Sequence, residues 1–78
     1  ALMSLCQAWA AQRADDEELD PALLATRDEI ESFVSGDPGT RLATGFRHAI
    51  VGADLERILA GQAAVTAGSG GRLRLVDL

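Results

Sequence analysis

Few side chains in this 78-residue sequence can do nucleophilic, acid–base or metal-ligand chemistry: His48, Cys6, four serines and twelve Asp and Glu. No strand–turn–helix elbow surrounds any serine, so a Ser–His hydrolase is not expected. One Cys with one His cannot close a zinc site, and Cys6 has no partner for an internal disulfide. The chain has no Lys, which removes the Walker phosphate loop, the Schiff base and the Ser–Lys pair. Gly68-Ser69-Gly70-Gly71 lacks the G-x-G-x-x-G spacing and reads as a turn between strands, not a phosphate cradle. Asp15, Asp16, Glu17 and Glu18 read as a solvated linker, and Asp28, Glu29 and Glu31 as a solvated helix face on which Arg27 and Glu31 pair four residues apart. The expectation is a chain with no catalytic residue, no metal site and no small-molecule cofactor.

Seven arginines remain, and their distribution is uneven. The net charge of −5 has the wrong sign for a chain that grips nucleic acid by itself. Residues 1–40 hold two Arg against nine acids, a net −7, while residues 41–78 hold five Arg against three acids, a net +2. A phosphate backbone is therefore expected to touch the second half, through Arg41, Arg47, Arg72 and Arg74, with His48 or Phe46 beside a base. The competing reading is that Arg27 and Arg47 each tie helices together through carboxylates or helix-end carbonyls, and that Arg57 simply pairs with Asp54.

Positioning these residues falls to short helices. The apolar fraction of 47% rests on 14 Ala and 11 Leu with three aromatics. Leu2, Leu5, Cys6, Trp9 and Ala10 recur at helical spacing and predict a helix over 2–14, frayed by the acidic run that follows. Asp20-Pro21 is a start signal, and Thr26-Arg27-Asp28-Glu29 fits a capping box. Together they predict one turn at 21–25 and a helix over 27–34 that buries Ile30, Phe33 and Val34 and ends at Gly36. Asp37-Pro38-Gly39-Thr40 is turn chemistry. Leu42, Phe46, Ala49 and Ile50, then Leu55, Ile58 and Leu59, predict helices near 42–51 and 53–60 that bend at Gly52 and stop at Gly61. Phe46, Leu24, Ile30, Leu55 and Leu59 are the expected core, with Trp9. Beyond Gly61 the period changes to two. Val65 and Arg72-Leu73-Arg74-Leu75-Val76 flank the glycines as either a β-hairpin folded against the helices or a flexible extension. The expected fold class is all-α, a small bundle of four to five short helices over residues 1–61, with residues 62–78 as that extension or hairpin. No apolar run approaches the roughly 18 residues of a membrane span, the opening "ALMSLCQAW" has no basic flank to make it a signal peptide, and the single thiol suits a reducing, cytoplasmic setting. The start at Ala1, without an initiator Met, is what an excised segment would show.

Two stretches, "LDPALLATRDEIESFV" and "LATGFRHAIVGADLERILAG", resemble the C-terminal part of bacterial ribonuclease D proteins. Leu23, Leu24, Ala25, Thr26 and Arg27 match the first block of that pattern; Gly45, Arg47, Leu55, Ile58 and Leu59 match the second. Phe46 stands where the family usually has Trp, which keeps an aromatic anchor, and Ala49 where it usually has Glu. Residues 62–78 match nothing in the pattern. Such segments look like HRDC domains, small helical modules shared by RecQ-type helicases and ribonuclease D. The resemblance implies a domain that positions RNA, including tRNA precursors, for an exonuclease domain of the same polypeptide. That domain holds two divalent metal ions on four acidic residues and cleaves from the 3′ end. The alternative is a non-catalytic interaction or structural module that never contacts nucleic acid.

Overall fold

Leu2–Asp16 form helix α1 along the face that the Leu/Cys/Trp spacing marks out, burying Cys6, Trp9, Ala10 and Ala14 in this computed structural model, which describes residues 1–37 and 39–78. The helix runs two residues past its predicted end, because Asp16 accepts from Gln12 Nε2 at 2.9 Å and from Arg13 Nη1 at 3.1 Å. Side chains that fold back along the last turn offset the repulsion expected to fray it.

The two start signals act as their chemistry requires. Asp20 Oδ1 accepts from the Ala22 amide at 2.9 Å and opens the single turn α2, Pro21–Leu24. Thr26 Oγ1 accepts from the Glu29 amide at 3.2 Å while the Thr26 amide donates to Glu29 Oε1 at 2.9 Å, closing a reciprocal capping box at the start of α3, Arg27–Val34. Ile30 and Phe33 are buried, and Val34 is half-buried against them. The expected turn at Pro38 lies outside the described residues.

The next segment departs from the sequence expectation. Leu42 does not begin a helix: it sits in a 3₁₀ turn, Arg41–Ala43, separated by extended Thr44 (φ −144°, ψ 164°) from α4, Gly45–Arg47. Then α4 runs through a π-helical turn, His48–Gly52, into α5, Ala53–Leu59. Gly52 keeps helical dihedrals (φ −59°, ψ −44°), so it does not break the run. Its role is close approach: a Cβ there would collide with the Leu42 carbonyl oxygen and lie 3.1 Å from His48 Cδ2. The missing side chain lets the 3₁₀ turn lie directly on the π turn. Arg13 Nε donates to the Ile50 carbonyl within that turn at 3.0 Å, joining α1 to it.

Gly61, at φ +74°, stops α5 as expected. Residues 62–78 then fold as a hairpin, β1 (Ala63–Ala67) antiparallel to β2 (Leu73–Asp77), with Val65 opposite Leu75 and Thr66 opposite Arg74. Val65, Leu73 and Leu75 share one sheet face and pack on the helices, while Thr66 and Arg74 point to solvent on the other. The chain is therefore mostly helical but not all-α. Its radius of gyration is 11.5 Å, about what a folded chain of this length has, as a hairpin laid on the helices requires. The core joins α1, α2, α3, the 3₁₀ turn and α5, with Cys6, Leu24, Leu42, Val51 and Leu55 enclosed most completely.

Candidate nucleic-acid interface

Each basic side chain expected to meet phosphate can be followed to its partner. Arg41 forks onto the Glu29 carboxylate, Nη2 to Oε1 at 2.6 Å with Nε on Oε2. That guanidinium, together with the Thr26 donors, outweighs partial burial and holds the Glu29 carboxyl down to about 2, while Glu29 in turn raises Arg41. Arg72, at the hairpin turn, donates to Asp15 Oδ2 at 3.3 Å and pairs with Asp16 Oδ1. His48 Nε2 lies 2.8 Å from Glu56 Oε1. Three of the five expected contacts are thus already engaged with carboxylates of this chain. Among the described residues, Arg74 has no ion-pair partner and stands exposed on the solvent face of β2.

Arg47 differs from all of these. Its Nη2 and Nε donate to the Leu23 carbonyl at 3.1 and 3.3 Å, bridging α4 to α2, and its guanidinium carbon lies 4.3 Å from the Phe46 ring centroid. No carboxylate neutralises it among the described residues. Phe46 is 49% exposed and Leu23 52% exposed, so the cation lies between two solvated apolar groups. Phe46 is not the core residue expected from its spacing to Leu42. Extended Thr44 interrupts the helix between them, and the four-residue offset no longer places them on one face. Leu59, also expected in the core, is only half-buried at its edge. Trp9 is buried as expected, and its Nε1 donates to Asp54 Oδ2 at 2.9 Å.

That bond takes Asp54 away from Arg57, which pairs instead with Asp77 on β2. No ion pair joins Arg27 to Glu31 among the described residues. The residue that sequence reasoning missed is Asp16, where Gln12, Arg13 and Arg72 converge. Its spacing to Gln12 and Arg13 was visible in the sequence. The third partner lies 56 residues away and left no local signal.

Cys6 is fully buried in apolar surroundings that push its thiol up, the opposite of an activated nucleophile. No three His, Cys, Asp or Glu side chains converge as a metal-ligand group among the described residues. No helix among the described residues is long and apolar enough to cross a membrane. No protein-family model, curated protein or solved structure matches this chain.

Proposed function

We propose that this chain is an accessory, HRDC-like domain that positions RNA for the exonuclease domain of a cytoplasmic ribonuclease D-like 3′–5′ exoribonuclease, and that it has no nuclease activity of its own. One observation carries this reading. The two sequence blocks that carry the resemblance meet at Arg47 and Leu23, where the exposed Phe46 ring lies beside the Arg47 guanidinium, which no carboxylate neutralises among the described residues. A base can stack on an exposed aromatic whatever its identity, and a neighbouring Arg can meet the phosphate or add a cation–π contact. Of the residues expected to meet phosphate, Arg74 is the other one with no carboxylate partner among the described residues. Arg41, His48 and Arg72 contribute little, because each would first have to leave a carboxylate.

The net charge of −5 makes the interaction weak in isolation. Two available Arg on a single strand give a log–log salt slope of roughly −1.4, at about −0.7 per phosphate. Titration of a labelled single-stranded RNA at low ionic strength tests this. Phe46→Ala and Arg47→Ala should each weaken binding severalfold while Arg41→Ala leaves it unchanged. No binding by the parent chain, or equal losses in all three variants, would replace this reading with the interaction-module alternative.

A further inference from the structure

Away from the Phe46–Arg47 surface, an open groove of about 500 Å³ runs between the C-terminal ends of α3 and α5. Its floor is apolar, made by Phe33, Ala43, Leu59 and Ala60, and its rim carries Asp37 and Glu56. Acidic groups dominate this rim. Both helices end at the groove, so the negative ends of their dipoles add to the two carboxylates. The last turn of α3 has no basic residue to complement that end. The last turn of α5 has Arg57, but Arg57 is held by Asp77. Asp28 and Glu31, exposed on the outer face of α3, extend the negative field along the same helix, and neither is in an ion pair among the described residues. Arg41 lines the neighbouring recess together with Asp37, where its guanidinium is held by Glu29, and His48 meets one Glu56 oxygen.

We infer that this groove docks a basic, amphipathic protein segment, with aliphatic side chains on the Phe33–Leu59 floor and Arg or Lys side chains at Asp37 and Glu56. Charge complementarity excludes a polyphosphate from this face. The groove is too open to enclose most of a small molecule, as a tight small-ligand site requires, whereas a helix or strand laid along it needs only one covered side. The inference does not depend on RNA binding, since it uses the opposite sign of charge and none of the same residues.

Fluorescence anisotropy with three labelled 14-residue peptides tests it: one of Leu and Arg in helical amphipathic spacing, one with every Arg replaced by Glu, and one with every Leu replaced by Ser. The Leu/Arg peptide should bind, and the other two should bind about tenfold more weakly or not at all. Asp37→Asn with Glu56→Gln should weaken the Leu/Arg peptide about fivefold, the size two exposed ion pairs allow. Glu17→Gln with Glu18→Gln removes the same charge away from the groove and should leave binding nearly unchanged. Ala60→Glu should abolish binding by filling the exposed end of the floor. Circular dichroism of each variant separates a lost site from a lost fold. Equal weakening by the two charge-removing pairs, binding of the Leu/Glu peptide as tight as the Leu/Arg one, or no binding of the Leu/Arg peptide at low salt would each overturn the inference.

Discussion

Cys6, Leu24, Leu42, Val51 and Leu55 are wholly enclosed within residues 1–61, whereas the hairpin buries only Ala63 and leaves Val65, Leu73 and Leu75 half-covered. Besides this apolar face, polar contacts hold the hairpin at its two ends. At the turn, Arg72 reaches Asp15 and Asp16, and the Leu73 amide donates to Gln12 Oε1 at 2.9 Å. At the far end Arg57 of α5 holds Asp77, while the Leu78 amide closes the hairpin on itself at the Gln62 carbonyl, 3.0 Å away. A two-stranded hairpin alone is marginal in water, so these clasps, added to a half-buried apolar face, decide that it docks. The difference separates two kinds of stability within one small chain. Apolar burial is indifferent to modest salt and pH, while exposed ion pairs are worth about 0–1 kcal/mol each and are screened. The same clasps consume cations that could otherwise have met phosphate.

The largest expected effect lies in the helical body. Leu55→Ala, at a site with no solvent exposure, should destabilise the chain by about 2–5 kcal/mol. A thermal or urea transition that moves by less than a quarter of that would break the contrast between the two regions. Gly52→Ala should cost about 1–3 kcal/mol, because the new methyl meets the Leu42 backbone carbonyl rather than a side chain able to rotate away. A neutral outcome in the same unfolding measurement would mean the 3₁₀ turn does not lie on the π turn.

A smaller effect sharpens the role of charge inside the body. The Glu29 carboxyl is held near 2, below its ordinary 4.5, by Arg41 first and the Thr26 donors second. Its contribution is therefore complete above about pH 4.5 and is lost as pH falls towards 2. The stability difference between the parent and Glu29→Gln should be constant from pH 7 to 5 and shrink between pH 4.5 and 2; a difference that grows on acidification would contradict the assignment.

The smallest effect belongs to the hairpin. Arg72→Ala should shift the global transition by less than about 1 kcal/mol yet speed amide exchange across Leu73–Asp77. Unchanged protection there would show that Val65, Leu73 and Leu75 hold the hairpin without the clasp.

Caps, stops and the first helix came out as read, while the helix expected over 42–51 and the Arg27–Glu31 pair did not. The Asp20-Pro21 start, the Thr26–Glu29 capping box and the Gly61 stop each depend on residues within four positions, and helix α1 on a spacing that needs no distant partner. The period-two tail left a hairpin folded on the helices and a flexible extension both open, and the sequence could not choose between them because Asp15 and Asp16 are more than 50 residues from Arg72. The candidate interface was half legible: the sequence marked Arg47 with its aromatic neighbour, but also Arg41, His48 and Arg72, whose carboxylate partners it could not place.

By itself, then, the sequence determined the short-range hydrogen bonds of caps and turns, the change from helical to strand period, and the lack of lysine, of a second cysteine and of a second histidine, because composition and contacts between near neighbours do not depend on the rest of the fold. Only the tertiary structure decided that Gly52 serves close packing against Leu42, that extended Thr44 rotates Phe46 out of the core, and which arginines are spent on carboxylates of the same chain. Those outcomes depend on which distant segments share space, and no local pattern carries that information.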